Sequence, residues 1–239
     1  MKISFLRSAK LLFSRWRMHG LFGPLSGGLQ NLAYMSKLSS FIHKYKGIAY
    51  NDYPSKWDYG KRYPMYEWVI KQENLASIPI QYLEFGVASG ESFRWFLSKN
   101  TDPASSFHGF DTFTGLPEDF GSYKKGTFGS NNEVPAVSDP RASFHQGLFQ
   151  QTLPGFIKNL DPMKRAVIMV DADLYSSTLF VLTTLAPYLK KNDIIFFDEF
   201  AVPKHEFRAY LDFTSSYYRE LELIAAANNF YFTAFRVNE

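Results

Sequence analysis

Between Arg165 and Asp171 the chain places five apolar residues in a row, Ala166-Val167-Ile168-Met169-Val170, and then stops at a carboxylate. A strand with apolar side chains at both parities has to be buried on both faces, which requires a parallel sheet with helices on each side. A second such strand, Asp193–Phe197, stops at Asp198-Glu199. Around these two the pattern alternates from Gln81 onward. Gln81–Val87 reads as a strand, Ser92–Ser98 begins a helix, Ser106–Phe110 and Ala142–His145 are further strands, and Leu182, Leu185 and Leu189 recur at helical spacing. Lys204–Tyr217 reads as a helix, followed by Leu221–Ala225 and Phe230–Val237 joined across Asn228-Asn229, a pair that tolerates the positive φ of a tight hairpin. The fold class is therefore α/β: a mainly parallel sheet flanked by helices and closed by an antiparallel C-terminal hairpin. Residues 117–141 hold Pro117, Gly121, Gly126, Gly129, Pro135 and Pro140 without periodicity, a long loop of the kind that forms an active-site lid.

With 239 residues the chain has room for one large domain, or for one domain and an extension, and its 46% hydrophobic content supplies a core. We divide it into a basic, aromatic-rich helical extension or cap (1–75) and a catalytic domain (76–239). The absence of cysteine excludes disulfides, thiolate-bound zinc, iron–sulfur clusters and a thiol nucleophile, so the chemistry has to come from oxygen and nitrogen. No apolar stretch is long enough to span a membrane, and Arg7, Lys10, Arg15 and Arg17 break the centre a signal peptide would need; a cytoplasmic protein is expected. Eight of the 26 Lys and Arg, and none of the 23 Asp and Glu, fall in residues 1–50, so the net +3 divides into +8 in front and −5 behind. That split argues against nucleic acid as a partner, because a nucleic-acid protein spreads its basic face over its core. For the basic front we rank a cap over the active site or a homo-oligomer contact first, and peripheral membrane contact second.

Leu83-Glu84-Phe85-Gly86-Val87-Ala88-Ser89-Gly90 sets glycines between a buried strand and a helix, where backbone can approach a ligand and the helix N-terminus offers amides. Ala88 replaces the middle glycine of the dinucleotide fingerprint, which lowers NAD or FAD and leaves a nucleotide lacking a pyrophosphate. Asp111 ends the next strand, where a carboxylate can accept hydrogen bonds from ribose hydroxyls.

Glu84–Gly90, Gly109-Phe110-Asp111-Thr112-Phe113-Thr114-Gly115-Leu116-Pro117, Gly147–Pro154, Asp171-Ala172-Asp173-Leu174-Tyr175-Ser176-Ser177-Thr178 and Phe197-Asp198-Glu199 occur in that order, and together they resemble the macrocin O-methyltransferase family. These are class I, Rossmann-like enzymes that move a methyl group from S-adenosylmethionine to sugar hydroxyls of natural products. The resemblance covers roughly residues 80–200. It implies a cofactor site of Glu84, Phe85, Gly86, Val87, Ser89, Gly90, Asp111, Thr112, Phe113, Gln146, Gly147 and Asp171. Glu84, Phe85, Gly86 and Gly90 would lie against the methionine portion, Asp111 at the ribose, and Gln146-Gly147 beside the adenine. Asp171, Asp198 and Glu199 would match the family's divalent-metal carboxylates, although the family usually has Asp where Glu199 stands.

A metal can also be argued from the strands alone. Neighbouring strands lie about 4.8 Å apart, so carboxylates at the ends of two of them can share one ion, and all-oxygen ligation favours Mg²⁺, Ca²⁺ or Mn²⁺, with Mg²⁺ our expectation. Such an ion would bind and acidify a hydroxyl of a small-molecule acceptor such as a sugar. Asp171 and His205 are the candidate bases. Asp173 is read as a cap for a helix beginning at Ser176. His19, His43, His108 and His145 lack metal-ligand spacing. Two rival readings remain: a nucleotide-sugar glycosyltransferase holding Mn²⁺ on Asp171-x-Asp173, and a non-catalytic membrane-surface module on a methyltransferase core.

Overall fold

The computed structural model describes residues 3–238; Lys2, counted above in the basic front, lies outside them. In chain order the elements are α1 (Ile3–Arg15), α2 (His19–Tyr45), β1 (Tyr50–Asn51), α3 (Arg62–Gln72), β2 (Ile80–Phe85), α4 (Glu91–Lys99), β3 (Ser106–Asp111), β4 (Ala142–Gln146), α5 (Phe149–Phe156), β5 (Arg165–Val170), α6 (Tyr175–Leu185), β6 (Ile194–Phe197), α7 (Glu206–Tyr217), β7 (Leu221–Ala227) and β8 (Phe232–Val237). The eight strands form one sheet in the order β1-β7-β8-β6-β5-β2-β3-β4. All neighbours are parallel except β8, which runs antiparallel to both β6 and β7. This is the mainly parallel, Rossmann-like sheet with an antiparallel hairpin that the sequence pattern predicts.

The fully apolar strands sit in the middle because only there are both faces covered. On one face Leu153, Phe156, Val181, Leu182, Phe207 and Phe213 of α5, α6 and α7 pack over Phe85, Ile168 and Phe197; on the other, Met65, Tyr66, Val69, Phe93 and Phe96 of α3 and α4 pack over Tyr82, Val167 and Phe196. Each buried aliphatic or aromatic side chain is worth about 1.5–3 kcal/mol. Much of the fold's stability lies in these two layers.

β2 has β3 on one side and β5 on the other, and the chain builds outward in one direction through β4 before returning to build through β5 and β6. A strand order that reverses in this way opens a crevice at the carboxyl ends of the two central strands, where ligands of open α/β sheets bind. Here the crevice lies between Gly86 and Asp171. The ladder runs one residue past each strand end: the Asp171 amide donates to the Phe85 carbonyl at 2.9 Å, the Gly86 amide to that of Phe110 at 3.0 Å, and the Asp198 amide to that of Val170 at 3.0 Å.

Residues 50–75 take part in this architecture although the sequence groups them with the extension. β1 pairs with the edge of β7, and α3 buries Met65, Tyr66, Val69 and Ile70 against the sheet. The hairpin connection is residues 228–231, two residues further along the chain than expected. Asn228, Asn229 and Phe230 all have positive φ (53°, 60° and 65°), so Phe230 belongs to the turn and β8 starts at Phe232. Residues 117–141 contain no helix or named strand, as their composition implies.

Gly86 has φ +94°, and a Cβ built there would stand 1.7 Å from the Asp171 carbonyl oxygen. The backbone of the neighbouring strand cannot yield that distance cheaply. Gly86→Ala is therefore expected to destabilise the fold by roughly 3 kcal/mol or more, read as a fall in the urea midpoint.

Candidate active site

A cavity of about 570 Å³ opens at the carboxyl end of the sheet, a volume typical of small-molecule sites. The ends of four strands contribute to its wall: Gly86 and Ala88 after β2, Asp111 and Thr112 at and after β3, Asp171 and Asp173 after β5, and Asp198 and Glu199 after β6. Leu148, Phe149 and Gln150 enter from the start of α5, and Pro117, Phe120, Tyr123 and Phe128 from the long loop. That loop thus forms part of the pocket wall.

Asp111 shapes the glycine turn. Its Oδ2 accepts hydrogen bonds from the amides of Val87 at 2.7 Å and Ala88 at 2.8 Å, and its Oδ1 accepts from that of Phe113 at 2.8 Å. A carboxylate has about four acceptor positions, so about one is left for a ligand. Ala88 holds φ +46°, a left-handed conformation that this clamp maintains. Glu84 lies deeper and is fully buried, with Ser92 Oγ donating to Oε1 and Tyr82 Oη to Oε2, both at 2.6 Å. Burial pushes its carboxyl up to about 8, against the pull of those two hydroxyls.

The other end of the cavity is acidic. Asp198 accepts from Tyr66 Oη at 2.7 Å and pairs with Arg62 at 3.2 Å, both from α3. Glu199 Oε1 accepts from the Tyr231 hydroxyl, and Glu199 Oε2 is buried without a hydrogen-bond partner. Glu206, at the start of α7, is fully buried; its Oε2 accepts from the Glu199 amide at 2.9 Å and its Oε1 has no partner. Burial raises all of these acids. Asp171 is held well above its usual range by burial and then by Asp198 and Asp173, and Asp173 is pushed up to about 8 by burial and then by Glu199. Asp198 is raised by burial against the opposing pull of Arg62 and Tyr66, and Glu206 is raised by burial and then by Glu199.

Of the residues proposed for the cofactor, Gly86, Asp111, Thr112 and Asp171 line the cavity. Glu84, Phe85, Val87, Ser89, Gly90, Phe113, Gln146 and Gly147 stand outside its wall. Phe85 and Phe113 are core residues, with Phe85 stacked on Phe110 at 4.8 Å. Asp171, Asp198 and Glu199 all reach the cavity, whereas His205 does not. Its ring packs edge-on against Phe120, which does line the wall, and burial followed by Lys204 lowers its pKa. Asp173 is no helix cap. Its φ is +56°, α6 begins at Tyr175 with Leu174 at its N-cap and no side-chain cap bond, and Asp173 faces the cavity near Glu199. Arg62, Tyr66, Tyr231 and Glu206 were not foreseen, because each reaches the site through contacts made only on folding.

The donor set suits a hard divalent cation in chemistry: oxygen ligands only, with one buried Glu199 oxygen unpaired. Among the described residues, however, no three Asp, Glu or His side chains form a ready coordination group. Asp198 is already engaged by Arg62 and Tyr66.

Residues 83–200 match the family model described as "Methyltransferase domain". No curated protein matches the chain. Among solved structures, the calicheamicin methyltransferase CalS11 is similar with a TM-score of 0.57 and 21% identity, over 86% of this chain and 91% of that one. Its apo structure, described as a TDP-rhamnose 3'-O-methyltransferase, gives 0.52 and 21% over 86% and 93%. The O-methyltransferase NovP gives 0.51 and 22% over 74% and 77%. At these identities the structures speak to the fold. Together with the domain match they define the class: residues 83–200 carry a methyltransferase domain, on the Rossmann-like fold that these structures share. The glycosyltransferase reading of Asp171-x-Asp173 falls away.

The folded protein keeps the Glu84 proton up to about pH 8, whereas the unfolded chain releases it near 4.5. Its stabilising share is whole below 4.5 and is lost as the pH rises through about 8. Glu84→Gln, which cannot ionise, is expected to flatten the decline in stability between those limits, by on the order of a few kcal/mol. Urea titrations at a series of pH values measure this; a slope equal to that of the wild type would show that Glu84 does not carry the effect.

Proposed function

We propose that the protein transfers the methyl group of S-adenosylmethionine to a hydroxyl of a sugar or another natural-product-like small molecule, with help from a divalent ion. The observation that carries this reading is a single cavity with the Asp111-clamped glycine turn at one end and buried carboxylates at the other. The two ends suit the two reactants. Support for the acceptor class comes from the similar structures, which include an enzyme described as a TDP-rhamnose 3'-O-methyltransferase. The motifs that resemble those of the macrocin O-methyltransferase family are consistent with it.

In this reading the turn at Gly86 and Ala88 lines the cofactor end of the cavity, and the free acceptor position of Asp111 takes a ribose hydroxyl. The acceptor lies toward Asp171, Asp198 and Glu199. Its hydroxyl oxygen forms a bond to the methyl carbon while the carbon–sulfur bond breaks, its electron pair remaining on sulfur, and S-adenosylhomocysteine leaves. The hydroxyl proton passes to a carboxylate in its ionised form, and Asp171 is the group we assign to it. Asp171, Asp198 and Glu199 would hold the ion, which supplies Lewis acidity to the acceptor oxygen when bound. Phe120, Tyr123 and Phe128 exclude water from the apolar side.

Calorimetry should show binding of S-adenosylmethionine and S-adenosylhomocysteine, weakened in Asp111→Asn by roughly 1.5–3 kcal/mol. Folded protein giving no heat with either compound would end this proposal. For the ion, excess chelator should abolish methyl transfer while S-adenosylhomocysteine still binds, and Mg²⁺ should restore turnover. Undiminished turnover in chelator, or in Asp198→Ala, would remove the metal from the mechanism.

A further inference from the structure

α1 buries none of its residues, and up to residue 37 α2 buries none either; Leu38 is its one fully buried side chain. The exposed side chains are large and apolar. At 100° per residue, Phe5, Leu6, Ala9, Leu12, Phe13 and Trp16 share one face of α1 and its last turn, with Arg7 and Arg15 on the other side. The Trp16 amide still bonds to the Leu12 carbonyl, and Trp16 itself is 69% exposed. Phe13 stacks on Phe22 at 5.5 Å, which joins the face of α1 to α2.

α2 then separates two rows. Phe41, at its C-terminal end, packs among Phe200, Phe207, Tyr210, Phe230 and Phe235, with Leu38, Ile42 and Tyr45 alongside. Leu21, Leu25, Leu29 and Leu32 form a second row roughly 150° around the helix from the first. All four are more than half exposed. Because the first row fixes the side on which the domain lies, the second points away from it. Among the described residues none before Tyr59 reaches the active-site cavity, so the arm from residue 3 onward does not line that site.

Charge decides between the partners that remain. Residues 1–50 carry eight basic residues and no acid, so arm against arm places like charges together. The net −5 of the remaining chain does not all face outward, because some of its acids are turned inside. Glu84, Asp193, Asp198 and Glu206 are buried, and Asp171, Asp173 and Glu199 are half-buried around the site. With the four buried acids set aside, the outward charge of residues 51–239 is about −1, close to neutral, so a second copy offers the basic arm little net attraction. A basic amphipathic segment with Trp, Phe and Leu on its apolar side has the chemistry that lies in the interface of an anionic lipid surface. Among the described residues no helix is long and apolar enough to cross a membrane, so the contact is peripheral.

We infer that residues 3–37 form a membrane-docking arm, which inserts the Phe5–Trp16 face and the Leu21–Leu32 row among lipids and sets Arg7, Lys10, Arg15 and Arg17 against acidic headgroups. The order of preference stated from sequence is thereby reversed.

Flotation of the full-length protein with phosphatidylcholine vesicles, with and without phosphatidylglycerol, tests this. The wild type should float with the anionic vesicles, stay behind with the neutral ones, and detach as salt is raised. Leu12→Glu/Trp16→Glu and Arg7→Glu/Lys10→Glu should each reduce anionic binding by about tenfold or more. Neither pair is buried, Trp16 standing just past the end of α1, so circular dichroism and S-adenosylhomocysteine binding should stay as in the wild type. No flotation of the wild type, or flotation unchanged in both variants, would overturn the inference. So would a stable dimer in light scattering that Leu12→Glu/Trp16→Glu dissolves while vesicles recruit nothing, since the second copy would then be the partner.

Discussion

Five carboxylates are gathered at the ends of β5 and β6, and the guanidinium of Arg62 is the cation paired among them. This imbalance organises the site. Taking a carboxylate out of water costs several kcal/mol unless something compensates, and the protein compensates in three ways. Tyr66 and Tyr231 donate to Asp198 and Glu199, Arg62 closes on Asp198, and the pKa values of the group rise so that protons are retained. The stacked aromatic layer beneath fixes these donors. Tyr66 lies 5.2 Å from Phe196 and 5.1 Å from Phe96, and Arg62 lies over the Phe232 ring at 4.9 Å. α3 therefore serves the chemistry although it precedes the matched domain segment.

The parts of this arrangement that were legible in the sequence share one property: they are local. Five apolar residues before Asp171 and four before Asp198 identify central strands and place two acids at their ends without any tertiary information. The asparagine pair identified the hairpin, and the loop at 117–141 was evident from its glycines and prolines. What escaped is non-local or conformational. Tyr66 and Asp198 are 132 residues apart and meet only because α3 folds over the sheet, and the sequence of α3, mixing Arg, Tyr, Glu and Trp with its aliphatics, has no clear apolar stripe to announce that. Asp173 looked like a cap because a cap is chosen by sequence position, whereas its positive φ turns the side chain toward Glu199. Glu206 looked like an ordinary acid in the first turn of a helix and is instead buried beneath the Glu199 amide.

Exposure divides the molecule along its length. From residue 50 onward, apolar side chains are consumed by two dense layers, and the charges that lie inside are mostly negative. Before residue 38, apolar side chains are left outside together with positive charge. The same chain thus follows opposite rules in its two parts. A docked arm would leave the catalytic domain tethered by α2, whose last turns are fixed in the core by Phe41 and its ring neighbours.

The Asp111 clamp bears on how a ligand would be received. The amides of Val87 and Ala88 are fixed by a side chain of the protein itself, and Ala88 holds its left-handed conformation on those bonds. The conformational entropy of ordering that turn is lost once, during folding, and is not charged again at each encounter. Binding at this end of the pocket then proceeds on a preorganised surface, and successive turnovers start from the same backbone.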